Sequence, residues 1–300
     1  MDIKWNSVGV KHYYLNNMNI IFFHVGDSLP DYVQICLRQF RSENPTESIW
    51  FLHNAEITES VNKLRDNFSI IPVIINPNRF PIIDQYMNRH GNFWNITMKR
   101  LLLIADFVFE YNLKDIIILE NDVLVYYPVK DISGWLYNNS HANCLLTRAT
   151  DNDIIAGFAY FYNSKSLLDI SRFILNKLPQ YSEFINEMNL LSEYDKSFLG
   201  VCDLLPTIPS QLQYDSLHGF PYVFDPASWG QYVGGTPHNG KTPGWAETAH
   251  YIGKEILAKR YDVVWQERKP FVKDLRSGTL TPLFNLHIHS KELHKYTSYE

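Results

Sequence analysis

Asp115 to Val129 reads DIIILENDVLVYYPV, and the architecture turns on how its middle is read. Four branched apolar residues, Ile116 to Leu119, run into Glu120-Asn121-Asp122, and a second apolar run, Val123 to Val125, follows at once. A run that apolar and that short is a strand buried on both faces. Burying an unpaired carboxylate is costly unless the charge is paired, neutralised or bound to a metal. The two acids therefore need a cation or an open edge. Two carboxylates flanking one residue at a strand end suit a hard divalent cation, with one acid on the metal and the other on a ribose hydroxyl or a metal-bound water. The alternative is a solvated turn with two incidental acids.

Outward from this stretch, strand and helix signals alternate. Asn19 to Val25 (NIIFFHV) is a short buried strand ending at Gly26, and Ser28 to Phe40 offers a capping serine followed by helical apolar spacing. Ser48 to Asn54 and Ser69 to Asn76 read as further strands, with the polar Glu56 to Asn67 between them as an exposed helix. Phe93 to Leu113 is a long helix whose Met98, Leu101, Leu102, Ala105, Val108 and Phe109 share one face, the face turned to the core. Strands separated by helices predict an α/β fold with a mixed, mostly parallel sheet and helices on both faces. Such sheets bind ligands outside the carboxyl ends of their strands, where Glu120-Asn121-Asp122 falls. The second half is less regular. It holds CLLTRAT, IIAGFAYFYNSKSLL, a helix from about Ser182 to Phe198 and a loop-rich region from Leu204 to Gly244 that pairs Gly and Pro with aromatics. Long structured loops of this kind are usually functional. No repeat or linker divides the chain, so residues 1–300 are expected to form a single domain.

With 45% hydrophobic and 15% aromatic residues, 300 residues can bury a large core. A net charge of -5 and a pI near 6.1 exclude the broad basic face that nucleic-acid binding needs. Cys36, Cys144 and Cys202 are odd in number and far apart, implying neither a disulfide framework nor a thiolate zinc site and favouring a reducing compartment. The opening residues lack the apolar core of a signal peptide, and no apolar run reaches the ~20 residues that span a bilayer. The expectation is a soluble, cytoplasmic protein.

Near the far end, LFNLHIHSKELHKY places His287, His289 and Lys291 two apart, on one face of a strand. Imidazole and ammonium on one ridge make a metal ligand with a phosphate partner. Mixed carboxylate and imidazole ligation favours Mn²⁺ over Mg²⁺. The competing reading is an edge strand with a polar outer face.

Taken in order, NIIFFHVGDSLPDYV, the stretch from Phe93 to Val129, GFAYFYNSKSLL, FDPASWGQYVGG and NLHIHSK resemble a bacterial-type nucleotide-sugar glycosyltransferase of the GT-A fold, from about Asn19 to Lys291. The resemblance implies a nucleotide-sugar-binding half, residues 1–130, and an acceptor-binding half, residues 131–300, that carries the C-terminal metal-site strand. It implies that Asp122 binds the metal bridging a donor diphosphate. Glu120, standing where the family has Asp, and Asn121 would lie against the nucleotide. A C-terminal imidazole, His289 ahead of His287, supplies another metal ligand, and Lys291 faces the phosphates. The loop after the first strand, with His24 and Gly26, receives the base. Thr97 and Arg100 sit one turn apart on the long helix, so that Arg100 reaches phosphate or ribose, unless it forms a surface ion pair with Asp106 or Glu110. Glu193 and Asp195 fall where inverting relatives carry a catalytic base, although a helix-terminal acid explains Asp195 equally. Asp225, Trp229 and Gln231, with Gly234 and Gly235 allowing backbone approach and Trp245 beside them, have the composition of a sugar-binding lid, or of a structural aromatic loop. The function so implied is metal-dependent transfer of a sugar from a nucleoside diphosphate, UDP by resemblance, to a hydroxyl acceptor such as a glycan. The rivals are a nucleotidyltransferase acting on sugar phosphates, whose Gly-rich basic loop HVGDSLPDY does not match, and a non-catalytic sugar-binding protein of the same fold.

Overall fold

The computed structural model describes residues 18–87, 90–139, 142–213 and 220–299. The opening segment read for a leader peptide lies, up to residue 17, outside the described residues, as does the part of the loop-rich region at 214–219. Twelve strands are described: β1 (Asn19–His24), β2 (Ser48–His53), β3 (Ile70–Ile74), β4 (Lys114–Leu119), β5 (Val123–Val125), β6 (Cys144–Thr150), β7 (Asp153–Asn163), β8 (Cys202–Leu204), β9 (Tyr261–Gln266), β10 (Lys269–Asp274), β11 (Leu280–Pro282) and β12 (Asn285–His287). Nine α-helices accompany them: α1 (Asp31–Glu43), α2 (Thr58–Phe68), α3 (Pro81–Met87), α4 (Asn92–Glu110), α5 (Lys130–Asn139), α6 (Ser164–Lys177), α7 (Glu187–Ser197), α8 (Ser228–Gly234) and α9 (Tyr251–Leu257).

Seven strands form the central sheet in the order β3-β2-β1-β4-β7-β6-β8. All pairings are parallel except those of β7 with β4 and β6, so β7 alone runs against the rest. The fold class expected from the sequence, α/β with a mostly parallel sheet clad on both faces, is therefore the one observed. Its physical cause is visible in single strands. Ile20, Phe22, Ile117 and Leu119 pack on one side with α1 and α2, while Ile21, Phe23, Ile116 and Ile118 pack on the other with α4, α6 and α7. Successive side chains point to opposite faces, so a strand with no polar position has to be covered twice.

Three further features position the site. Directly after β4 the chain turns through Glu120-Asn121-Asp122 into β5, which pairs antiparallel with β12 so that His287 stands opposite Val123. This two-stranded ladder brings a segment some 165 residues away in sequence against the acidic turn. Then α7 opens on Asn186, whose side chain accepts from the Asn189 backbone in a reciprocal capping box. Finally, β9, β10 and β11 form a separate antiparallel sheet.

Several local expectations differ from the structure. Helix α1 starts at Asp31 behind Pro30, with no side-chain cap from Ser28, because proline's fixed φ already sets the entry to the first turn. Phe109 is 56% exposed rather than core; in that last turn of α4 it is Phe107 and Val108 that are buried, with the Phe107 ring 5.3 Å from that of Trp50 in β2. Cys144 and Cys202, 58 residues apart, are joined as a disulfide, their Cα atoms 4.9 Å apart on the neighbouring parallel strands β6 and β8. Spacing along the chain could not foretell that pairing, and it removes the ground on which a reducing compartment was inferred. No helix among the described residues is long and apolar enough to cross a membrane.

Candidate functional site

The C-terminal ends of β1 and β4 open into a cleft of about 970 Å³. At its base, Glu120, Asp122 and His287 each aim a ligand atom at a common point, all within 4.8 Å of one another. His287 Nε2 lies 3.1 Å from Glu120 Oε2 and 3.2 Å from Asp122 Oδ1. Two glycines hold the imidazole there. A Cβ at Gly157 would stand 2.9 Å from His287 Nδ1, and one at Gly230 would fall 2.0 Å from the His287 carbonyl oxygen. From the other side, the His287 amide donates to the Asp225 carboxylate at 2.8 Å, and the Ile288 amide donates to the Asp122 carbonyl at 2.9 Å.

Charge neighbours explain the titration of this cluster. Burial disfavours the His287 cation, yet Asp122 and Glu120 outweigh it and push the imidazole up to about 10. Burial also opposes the two carboxylates, but His287 and Lys291 hold Asp122, and Arg100 and His287 hold Glu120, well below the usual carboxylate range. Lys291 touches Asp122 directly and sits in the left-handed backbone region, at φ 62°, a conformation a non-glycine residue adopts at a cost of about 1–2 kcal/mol. His289 stacks on His287 with ring centroids 4.4 Å apart, and burial together with the neighbouring imidazole lowers it to about 3. Among the described residues, His287 Nδ1 and His289 Nε2 are buried and have no hydrogen-bond partner.

These donors fit a divalent cation. Two carboxylate oxygens and one imidazole nitrogen are the mixed oxygen and nitrogen set of such a site. Separations of 3.1 and 3.2 Å also match neighbouring ligands on a cation with bonds of about 2.1–2.2 Å, which stand roughly 3 Å apart. The same separations suit hydrogen bonds from a protonated imidazole. A proton and a cation therefore compete for one place.

Other residues singled out from the sequence fall into three groups. Some line the cleft: His24, Thr97, Arg100, Asn121, Gln231, Trp245 and Lys291. Of these, His24 directs Nε2 to the Ser28 carbonyl at 3.0 Å, and burial lowers its pKa. Asn121 donates to the Phe23 carbonyl at 2.8 Å, tying the turn to β1. The Thr97 hydroxyl donates to the Trp94 carbonyl at 3.1 Å. Arg100 is buried, with Nη1 2.5 Å from Glu120 Oε1 and Nη2 4.0 Å from a Glu187 oxygen. It pairs with neither Asp106 nor Glu110, and Asp106 is taken by Arg79 at 2.6 Å.

A second group is committed to scaffolding. Gly26 has both backbone groups bonded to the Asn54 side chain, at 3.1 and 2.9 Å, which ties the loop after β1 to the end of β2. Trp229, read as a stacking face, is 0% exposed and donates its indole N–H to the Thr207 carbonyl at 3.0 Å. Asp225, read as a sugar partner, is buried and accepts from the amides of Trp229, Gly230 and His287, each at 2.8 Å. Burial raises its pKa while those three donors oppose the shift. It fastens α8 to β12. Gly235 is required by the loop itself, since a Cβ there would meet the Lys241 carbonyl at 2.6 Å.

The third group lies outside the cleft. Glu193 bonds to the Tyr181 hydroxyl, and Asp195 pairs with Arg148 at 2.6 Å. Neither lines the cleft. The carboxylate that α7 does present there is Glu187, at its first position, whose pKa burial raises against the pull of Arg100. His289, favoured as ligand over His287, does line the cleft, but it stacks on His287 and is not one of the three clustered donors, because β12 ends at His287 and strand alternation stops there. Sequence reasoning passed over Glu187, Gly157 and Gly230. The Asn-x-x-Asn capping pattern at 186–189 marks the start of α7 and was the one available signal for Glu187; the two glycines carry none.

No protein-family model matches the sequence, and no curated protein matches it. Solved structures with a similar backbone include mouse xyloside xylosyltransferase 1 in its apo form, at 9% identity and TM-score 0.48 over 69% of this chain and 91% of that one. An active-site mutant of LgtC is similar at 16% identity and TM-score 0.43, over 68% and 81%. A cytidylyltransferase from Leptospira borgpetersenii is similar at 12% identity and TM-score 0.41, over 65% and 77%. Likeness at this level says nothing about what the present chain acts on.

Proposed function

We propose that this protein is a metal-dependent glycosyltransferase that moves a sugar from a nucleoside diphosphate, UDP by preference, to a hydroxyl acceptor. The observation that carries the reading is the convergence of Glu120, Asp122 and His287 at the carboxyl end of a central parallel strand, inside a cleft large enough for a nucleotide-sugar. Mn²⁺, or Mg²⁺, held by these three residues would supply positive charge to the leaving diphosphate as negative charge develops on it.

The chain's own residues supply the rest. Arg100 keeps Glu120 ionised and oriented, and Asp225 with Gly157 and Gly230 holds the His287 ring in place. Lys291, whose ammonium rests on Asp122 and which lines the cleft, would pair with a donor phosphate, so that a bound diphosphate would replace one anionic partner by another. Gln231 and Trp245, the latter with Lys241 4.3 Å over its ring, line the cleft as hydroxyl partner and stacking face.

The test is calorimetric titration of UDP and UDP-glucose with and without Mn²⁺, followed by donor hydrolysis and transfer to added glycans. Binding that strengthens at least ten-fold with Mn²⁺, together with slow release of UDP, supports the reading. Metal-independent binding of a nucleoside triphosphate with pyrophosphate release would instead make it a nucleotidyltransferase, and UDP-sugar binding with no turnover on any acceptor would make it a binding protein.

A further inference from the structure

Glu193, which the cleft does not use, belongs to a second and smaller cavity of about 310 Å³ on the other side of α7. Asn189, Ser192, Glu193 and Lys196 line it from one helix face, at the i, i+3, i+4, i+7 spacing that such a face requires. Asn152 and the stretch Tyr181, Glu183, Phe184 and Ile185 complete the lining. The two cavities share a thin partition. Met188 and Asp153 line the cleft while their chain neighbours Asn189 and Asn152 line the small cavity. The Phe184 ring, 42% exposed, packs 5.2 Å from that of Trp94, which lines the cleft. An aromatic path thus leads from one to the other.

We propose that the small cavity is a second sugar subsite, holding a further residue of a glycan acceptor while the residue to be glycosylated sits in the cleft; this rests on the glycosyl-transfer reading above. The volume is at the low end of those that enclose small ligands, enough for one ring and not for a nucleotide. The half-exposed Phe184 offers a flat apolar face of the kind that covers the C–H side of a pyranose. The polar groups around it suit hydroxyls, which donate and accept at once: the carboxylates of Glu183 and Glu193 accept, and the Lys196 ammonium donates. Two acids against one lysine disfavour phosphate or another polyanion. The groups are also held in place beforehand. The Tyr181 hydroxyl holds Glu193, Lys196 Nζ stands 3.1 Å from Asn152 Oδ1, and the Asn186–Asn189 capping box fixes the start of the helix that carries most of the lining. The acceptor is then an oligosaccharide rather than a monosaccharide or a lone protein hydroxyl.

The experiment applies the fluorescently labelled full-length protein, with UDP and Mn²⁺ present, to a printed glycan array, then measures Kd in solution for the bound glycans and for their terminal monosaccharides. Phe184→Ala and Lys196→Ala are compared with the native protein, and Tyr162→Ala, an exposed aromatic that lines neither cavity, controls for loss of surface apolarity. The proposal expects oligosaccharides to bind about ten-fold or more tightly than their terminal monosaccharides. Each cavity variant should erase most of that difference, with UDP and Mn²⁺ affinities within two-fold of native and cooperative thermal unfolding retained, Phe184→Ala melting somewhat lower for its lost contact with Trp94. It is overturned if the native protein binds no oligosaccharide on the array, if monosaccharides bind as tightly, or if both cavity variants bind as the native protein does. UDP and Mn²⁺ binding, measured in parallel, separates the two ideas: glycan binding that needs the cavity without any UDP binding removes the transferase and leaves the subsite, whereas UDP binding without glycan does the reverse.

Discussion

Gly157→Ala isolates the role of imidazole placement, because it leaves every ligand atom of the candidate metal centre chemically intact. Gly157 has no positive φ, so the backbone accepts alanine. Its new methyl would lie 2.9 Å from His287 Nδ1 and 3.3 Å from Cε1, against ordinary carbon contacts of about 3.5–4.0 Å. The ring must retreat by roughly 0.5–1 Å. It cannot do so freely, since His289 stacks behind it at 4.4 Å and the His287 amide is pinned to Asp225. Metal bonds tolerate only about 0.2 Å. The expected result is Mn²⁺ binding weakened by roughly 10–100-fold, the range seen when the supports of a ligand are disturbed. The accompanying stability loss is about 1–3 kcal/mol from overpacking, partly offset by the lower chain entropy of alanine. Calorimetric Mn²⁺ titration, with thermal unfolding in EDTA to verify the fold, reads both. Gly134→Ala, where nothing lies within 4 Å, is the matched control. A folded Gly157→Ala protein that binds Mn²⁺ within two-fold of native refutes the placement of His287 in the donor set.

Asp122→Asn should abolish Mn²⁺-dependent UDP binding in calorimetry, and because Asp122 is only 4% exposed between His287 and Lys291 it should also cost about 1–3 kcal/mol in chemical denaturation without metal. For the metal-free protein the sign of the pH dependence follows from His287. Its pKa, raised from 6.5 to about 10, contributes stability that is complete below pH 6.5 and is lost as pH climbs toward 10. The lowered carboxyls of Glu120 and Asp122 contribute stability above their ordinary values that is lost on acidification. The melting temperature in EDTA should therefore fall between pH 6.5 and 9.5, and this fall should vanish in His287→Gln; an equal slope in both proteins discards the assignment. Mn²⁺ needs the neutral imidazole, so its affinity should rise over the same range, with close to one proton released per ion near pH 7.5 in calorimetry across buffers of different ionisation enthalpy. Trp229→Phe should lower stability by about 1–3 kcal/mol through the orphaned Thr207 carbonyl while leaving donor binding within two-fold of native, and a selective loss of sugar binding at full stability would restore the stacking role.

How far the sequence could be read depended on whether a pattern reported depth or direction. The run Ile116 to Leu119 betrays its depth without help, since nothing polar interrupts it, and the carboxylates that follow must emerge where the strand ends. That much of the fold and of the acidic turn was legible. Direction was not. In α7, Glu187 and Glu193 are acids of one helix, yet they lie on different faces, one toward the cleft and one toward the small cavity. A lone helix's periodicity separates those faces without saying which one meets the site. The loop around Trp229 fails for a related reason. Gly, Asp and Trp compose a sugar-binding lid as readily as a buried brace, and what decides is Asp225, whose carboxylate gathers two backbone amides from the adjoining α8 and a third from distant β12. Partners 62 residues apart leave no local trace. The same holds for Cys144 and Cys202, neighbours only because β6 and β8 lie side by side with the reversed β7 and two helices between them in sequence.

Asp225 also carries the physical link between the two halves of the cleft. It accepts from Gly230 in α8 and from His287 in β12 through the same oxygen, so the helix bearing Gln231 and the strand bearing the candidate ligand cannot shift independently. Asp225→Asn tests this coupling. One face of the new side chain would turn an N–H₂ donor toward amide donors, so at least one of the three hydrogen bonds must be given up, at about 1–3 kcal/mol for a buried group left unpartnered. If the brace holds both elements, Mn²⁺ affinity and UDP-sugar affinity should decline together in calorimetry, each by ten-fold or more, although the mutated side chain touches neither ligand. Loss of one with the other intact would mean that α8 and β12 are positioned separately, and that Asp225 serves only the stability of its own turn.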